Sequence, residues 1–121
     1  MGCDNLIFGY SDQYKEREWV GDATEGNNVV ETSDVPEGEI WVVTYIQAKN
    51  QNTGPTNRFV EIDDDGGLYR VIADYSVAAG VSSLFFGEQI LAEGEHLRAV
   101  FFDCTLGDSL ELHARGYKME L

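Results

Sequence analysis

The residues best suited to chemistry lie close together near the end of the sequence. Both histidines of the chain, His96 and His113, and one of its two cysteines, Cys104, fall within residues 94–121. The same stretch carries acidic side chains at Glu95, Asp103, Asp108, Glu111 and Glu120. These residue types can ligate a metal ion or pair a nucleophile with a base. Whether they cooperate depends on how the strands that carry them are arranged.

Strand spacing argues against a metal site shared by the two histidines. If "TLGD" closes a direct hairpin, His96 and His113 lie about four residues apart along the ladder, roughly 13 Å at ~3.3 Å per residue. One metal ion held ~2.1 Å from each ring nitrogen cannot span that distance. If the last two strands instead lie in opposite sheets, about 10 Å apart, the histidines need not share a face. We therefore expect two separate surface or interface histidines.

The other candidates for chemistry also have plainer interpretations. Cys104 follows two phenylalanines, and a thiol in such an apolar run is usually inert packing rather than a nucleophile for His113. Asp63 to Asp65 in "DDDGG" could bind Ca²⁺, but the EF-hand spacing is missing, so we expect a solvated turn. No nucleophile elbow, phosphate-binding loop or dinucleotide motif is present. The sequence predicts no catalytic residues, no metal site, no cofactor and no enzymatic activity.

Length and charge narrow the choice of partners. The 121 residues predict one domain, and their net charge of −14, from 22 acidic against 8 basic residues, argues against binding to nucleic acid or to anionic membranes. Lysine occurs only at positions 15, 49 and 118, a composition that suits high-salt surroundings. A melting series tests that idea, which fails if stability does not rise towards molar NaCl. Without a secretion signal, Cys3 and Cys104 are expected to be free thiols, the alternative being a bond between them.

From residue 28 the chain reads as short strands between turn signals. The stretches "NVVETSDV", "EIWVVTYIQAKN", "RFVEI" and "LYRVIADYS", "SLFFGEQIL", "HLRAVFFDC" and "SLELHARGYKMEL" are rich in β-branched and aromatic residues. Turns are expected at "PEG", "DDDGG", "AEGE" and "TLGD". The predicted fold is all-β, an antiparallel β-sandwich or jelly roll of about seven or eight strands. We assign residues 28–121 to this sandwich domain.

Residues 1–27 follow no clean period and are predicted to form an extended N-terminal arm, in which "DQYKEREWV" could make a helical turn or two. The strand at 39–50 is apolar on both faces at its start, so its second face should be covered by the arm or by another subunit. Because aromatic residues dominate interface energetics, we expect an interface from the arm and this strand. Its predicted residues are Leu6, Ile7, Phe8, Tyr10, Tyr14, Trp19, Trp41 and Tyr45.

The last strand contains a glycine at a change of pattern. Leu110, Leu112 and Ala114 alternate with polar residues, whereas after Gly116 the apolar positions are 117, 119 and 121. Glycine at such a change of parity predicts a β-bulge, the alternative being a strand that ends at Gly116.

With these motifs in view, residues 35–121 resemble a class of small phage virion proteins. In that class a Pro-x-Gly turn leads into an apolar strand, and a segment of the form Leu-x-x-Gly-acid-x-Leu-Arg-Ala precedes a last strand with a late glycine. The matching positions are Pro36, Gly38, Trp41, Leu91, Gly94, Glu95, Leu97, Arg98, Ala99 and Gly116.

The resemblance implies a capsid decoration (cement) protein. Such a protein would bind the major capsid protein shell from the outside, as a trimer with an arm, after assembly in the host cytoplasm. Two alternatives stay open at the level of sequence. One is a neck, tail or fibre component of a virion, and the other is a carbohydrate-binding module that uses Trp19, Trp41, Tyr45 and Tyr69.

Overall fold

The computed structural model describes residues 11–64 and 67–120, and the regular structure in these stretches is all β-strand. The described residues contain no helix that is long and apolar enough to cross a membrane. The strands are β1 (Ser11–Val20), β2 (Gly26–Glu31), β3 (Glu39–Asn50), β4 (Thr56–Asp63), β5 (Leu68–Val77), β6 (Ser82–Leu91), β7 (His96–Cys104) and β8 (Leu110–Glu120). The predicted "PEG" and "AEGE" turns place Gly38 and Gly94 at positive φ, where glycine is favoured.

The strands form two four-stranded antiparallel sheets. Sheet 1 has the order β1-β8-β3-β6 and sheet 2 the order β2-β7-β4-β5. Every connection along the chain passes from one sheet to the other except the β4–β5 hairpin, which closes across the predicted acidic turn. This crossing pattern is a jelly roll. The prediction of an all-β sandwich or jelly roll with about seven or eight strands is confirmed.

The core lies between the sheets and follows the two-residue alternation of the strands. Its fully buried side chains include Val43, Ile46, Ala48, Val60, Leu91, Leu97, Leu110, Leu112 and Ala114. Burying each larger aliphatic side chain contributes about 1.5–3 kcal/mol. The ring of Tyr14 on β1 stacks on that of Trp41 on β3, with centroids 4.5 Å apart.

The first strand corrects the boundary of the predicted arm. Residues 11–20 are neither an arm nor a helical turn, because β1 pairs with β8 along its whole length. Ala23 continues this attachment, since its N–H donates to the Asp108 carbonyl at 3.0 Å. The sandwich therefore includes residues that the sequence predicted to be part of the arm. Their apolar and polar residues do not alternate cleanly, because β1 lies at the edge of its sheet. Residues 1–10 lie outside the described residues.

The last two strands lie in opposite sheets, which is the second of the two arrangements considered above. Asp108 fixes the turn between them, because its buried carboxylate accepts hydrogen bonds from Thr53 Oγ1 (2.8 Å), the Thr105 N–H (2.8 Å) and Asn50 Nδ2 (3.2 Å). Burial raises the pKa of Asp108, but the three hydrogen bonds outweigh it and leave that pKa below its ordinary value.

Gly116 does not change the parity of β8, and the strand does not end there. The bulge lies in β3, where Thr44 is the extra residue between the pairs Val43–Gly116 and Tyr45–Arg115. A Cβ on Gly116 would lie 1.8 Å from the Val42 carbonyl oxygen, so only glycine permits this approach of the backbones. The odd-numbered residues of β8 consequently point outward along its whole length, including Tyr117 and Met119.

Candidate interface on the outer face of sheet 1

The structure divides the predicted interface residues into three groups. Tyr14 and Trp41 are 2% and 3% exposed and belong to the core, so the prediction that they contact a partner is wrong. Leu6, Ile7, Phe8 and Tyr10 lie outside the described residues, and their role stays a prediction. Trp19 and Tyr45 point outward from sheet 1, Trp19 with its indole N–H donating to Ser109 Oγ at 2.7 Å.

Outward side chains of sheet 1 form rows that cross all four strands. From β1 to β6, one row is Gln13, Tyr117, Val42 and Ile90. The next row is Lys15, Arg115, Tyr45 and Phe86. A third is Arg17, His113, Gln47 and Leu84. The rows become apolar towards β6 and towards the Tyr117 end of β8, and basic towards β1.

Several large apolar side chains are exposed on this face. We define the apolar patch as Leu84, Phe86, Ile90, Tyr117 and Met119, all of them exposed, with Phe86 at 71% and Ile90 at 63%. Val42 and Tyr45 on β3 connect its two sides, and the Tyr45 and Phe86 rings lie 5.4 Å apart. Contiguous exposed apolar surface of this kind marks an interaction site more often than a free surface.

A basic band lies beside the patch. It comprises Lys15, Arg17, Lys49, His113 and Arg115, which point outward from β1, β3 and β8. Within residues 11–64 and 67–120, Arg17 is its one member in an ion pair, with Glu111 at 3.1 Å. Burial and the charge of Arg115, helped by Arg17 and Lys15, hold the pKa of His113 below its ordinary value. Positive charge is thus concentrated on one face of a strongly acidic chain.

The outer face of sheet 2 is built differently. The buried Glu61 carboxylate lies between Arg98 Nη1 at 3.4 Å and Arg70 Nη2 at 3.8 Å. The Arg70 guanidinium also covers the Phe59 ring, 3.8 Å from its centroid. Phe102 meets the same ring edge to face at 5.1 Å. Several charged and aromatic side chains of this face therefore pair within the chain, although sheet 2 also exposes Tyr75 on β5.

The two histidines and Cys104 do not form one site. His96 lies at the outer edge of sheet 2, and His113 lies on the outer face of sheet 1, where its ring meets Tyr45 at 5.8 Å. Cys104 is buried between the sheets near Asn50 and cannot be a nucleophile for His113. Burial raises the pKa of its thiol, which fits packing rather than reactivity. Cys104 is a free thiol.

No member of the apolar patch is among the interface residues predicted from the sequence. The sequence "SLFFGEQIL" already indicated an apolar outer surface, because large apolar residues occur at both odd and even positions, as they do at the start of β3. The parity change at Gly116 was read as a bulge, whereas it marks the point from which outward positions of β8 become apolar. The candidate glycan platform does not form, since Trp41 is buried and Tyr69 lies on sheet 2, away from Trp19 and Tyr45.

No protein-family model and no curated protein sequence matches this chain. A chain from the structure of infectious bursal disease virus, Gx strain, is similar with a TM-score of 0.49 and 14% identity, over 89% of this chain and 31% of that chain. A chain from the Gt strain structure gives a TM-score of 0.42 and 12% identity at the same coverage. These likenesses are loose, and the jelly-roll assignment rests on the strand order of this chain. Membership of the phage decoration class stays a prediction.

Proposed function

We propose that the protein is a non-enzymatic structural component of a virion that docks on the shell through the outer face of sheet 1. The observation that carries this proposal is the apolar patch beside the basic band, whereas the arginines of sheet 2 are paired with Glu61 or cover Phe59. A jelly roll alone does not fix a function, because it also occurs in lectins and cupins. The face supplies what the fold does not, namely a surface suited to a partner.

Charge gives the docking a direction. With a net charge of −14, most of the surface repels an acidic partner, while the basic band attracts one. A shell whose exterior is acidic and partly apolar would therefore meet sheet 1 rather than sheet 2. Electrostatic steering of this kind mainly raises the association rate, and the apolar patch supplies the slow dissociation. Many copies on one shell would strengthen it through multivalency.

In its finer form, the proposal is a decoration or cement protein that binds the major capsid protein on the capsid exterior. The resemblance to decoration proteins implies a trimer with an arm, and we propose that the arm contacts neighbouring subunits through Leu6, Ile7, Phe8 and Tyr10. A neck, tail or fibre component is the alternative with the same docking chemistry. A reconstruction of the particle separates these locations, and the mass in solution tests the trimer.

The docking face is tested by binding to capsids that lack this protein. The variant Phe86→Ser with Ile90→Ser should weaken binding at least about 100-fold, because exposed anchors at an interface centre each contribute ~2 kcal/mol or more. The matched control is Tyr69→Ser with Tyr75→Ser, two residues of similar exposure on β5 of sheet 2. Binding can be measured by co-sedimentation over a concentration series.

The controls decide between the faces. We expect the sheet 2 variant to bind as the unchanged protein does. Both variants should keep the circular dichroism spectrum and the mass in solution of the unchanged protein. Equal binding by the Phe86 and Ile90 variant would refute docking through sheet 1. Reversing the basic band with Lys15→Glu and Arg115→Glu should slow association, and the effect should shrink as NaCl is raised.

A further inference from the structure

One histidine of the chain lies among three carboxylates at the edge of sheet 2. His96 Nε2 is 2.5 Å from Glu31 Oε2 and 3.7 Å from Asp63 Oδ2, and His96 Nδ1 is 2.9 Å from Asp34 Oδ1. The ring itself is mostly buried, with 13% of the side chain exposed. Glu31, Asp63 and His96 can bring their ligand atoms within 4.8 Å of one another. We propose that these three side chains bind a divalent transition-metal ion, with Asp34 orienting the imidazole.

The backbone holds this arrangement in place. Asp63 pairs directly with His96 between β4 and β7, and β2 ends at Glu31 on the other side of β7. Thr32 N–H donates to the Leu97 carbonyl at 3.0 Å, and Leu97 N–H donates to Thr32 Oγ1 at 2.9 Å. The segment after β2 is therefore fixed against the start of β7. The ligands come from three adjacent strands rather than from one flexible loop.

Electrostatics favours a cation at this point. A neutral imidazole has a lone pair on one nitrogen, and here each nitrogen lies within 3 Å of a carboxylate oxygen. That lone pair would face negative charge, which is unfavourable in a partly buried site. A divalent metal ion at this position would accept the imidazole lone pair, and its two positive charges would offset the negative charge of the surrounding carboxylates.

The geometry fits a metal after small movements. Tetrahedral zinc with bonds of ~2.0–2.1 Å separates its ligand atoms by about 3.3 Å. The contact from His96 to Glu31 would lengthen and the contact to Asp63 would shorten, and Glu31 is free to move because its side chain is half exposed. His96 Nδ1 is buried and makes no hydrogen bond of good geometry within the described residues, although Asp34 Oδ1 is close. A slight ring rotation towards Asp34 would align the N–H with that carboxylate, the usual support of a metal-bound histidine.

The ligand set also selects among ions. One imidazole with two carboxylates suits Zn²⁺ or Mn²⁺, whereas Ca²⁺ prefers six to eight oxygen atoms and does not favour nitrogen. The site shares Asp63 with the acidic turn, but its imidazole ligand distinguishes it from the Ca²⁺ site that the sequence of the turn suggested. A bound ion would cross-link β2, β4 and β7 and would stabilise the folded chain in proportion to its concentration.

The test is calorimetric titration of the full, untagged chain with ZnCl₂, followed by melting with and without the ion. We expect one ion per chain and a raised melting temperature. His96→Gln should weaken binding at least about 100-fold, and Asp34→Asn about 10- to 100-fold as an orienting residue. The matched control is His113→Gln, which removes the other histidine from a basic surface and should bind Zn²⁺ as the unchanged chain does.

Three results would overturn the proposal. The first is no heat and no shift in melting temperature with Zn²⁺. The second is equal loss of binding in the His96 and His113 variants, which would indicate unspecific binding. The third is Ca²⁺ binding that is as tight as Zn²⁺ binding and insensitive to His96→Gln, which would assign the site to the acidic turn. None of these outcomes depends on whether sheet 1 docks on a shell.

Discussion

The two outer faces of the sandwich carry one histidine each, in opposite surroundings. On sheet 2, His96 is enclosed by carboxylates, and nearby Glu61 is paired with two arginines. On sheet 1, His113 lies among basic residues and beside the exposed rings of Tyr45 and Phe86. Both faces are built from strands with the same alternation. They differ in whether the chain itself supplies the partners of its side chains.

This difference separates stability from association. Side chains on sheet 2 contact one another, so their removal should lower the free energy of unfolding. Side chains of the apolar patch protrude from sheet 1, so their removal should change association and leave folding nearly unaffected. Three kinds of variant test this difference between the faces: one at the register of sheet 1, one in an ion pair of each face, and one at His113.

The largest loss of stability is expected from Gly116→Ala, which should disturb the pairing of β3 with β8. That pairing directs Tyr117 and Met119 outward. The added methyl group would meet the Val42 carbonyl oxygen at 1.8 Å, so the β3 and β8 backbones must separate. We expect a loss of about 3 kcal/mol or more in the free energy of unfolding, measured by urea denaturation. Gly67→Ala is the control, because the nearest atom there is 3.9 Å away. Equal stability of the two variants would show that the close approach is unimportant.

Gly116 also shows what the sequence could and could not predict. Strand-forming residues and turn signals located β3 and the β4–β5 hairpin, since both depend on local chemistry. Gly116 marked the position of the bulge but not its strand, because the extra residue, Thr44, lies opposite it in β3. The boundary at residue 27 failed for a similar reason, since β1 is recognised only by its pairing with β8.

The candidate sites follow the same division. Strand arithmetic correctly separated His96 from His113, because spacing along a strand is fixed by the backbone. It did not bring Glu31 and Asp63 to His96, since that requires the order of β2, β7 and β4 in one sheet. The order of strands in a sheet depends on packing between distant segments, so it cannot be predicted from any one segment alone.

A smaller effect, about 2 kcal/mol, is expected for Glu61→Ala on sheet 2. The substitution removes a carboxylate that is 8% exposed and leaves both Arg98 and Arg70 without it, which is more unfavourable than losing a pair with one largely exposed arginine. The matched variant on sheet 1 is Glu111→Ala, whose partner Arg17 is 63% exposed. That variant should lose less than about 1 kcal/mol. Urea midpoints of the two variants test the difference, and equal losses would contradict the contrast between the faces.

The smallest effect is a change of pH dependence in His113→Gln. The pKa of His113 is lowered in the folded chain, first by burial and then by Arg115, from an ordinary value of 6.5. Between the lowered pKa and 6.5 the unfolded chain therefore binds more protons, so stability rises with pH through this window and this contribution is complete above it. Replacing His113 by glutamine should flatten the dependence of the urea midpoint on pH below 6.5, relative to the unchanged chain. Identical slopes in the two proteins would mean that the basic band does not act on His113, and that the positive character of sheet 1 is weaker than its register suggests.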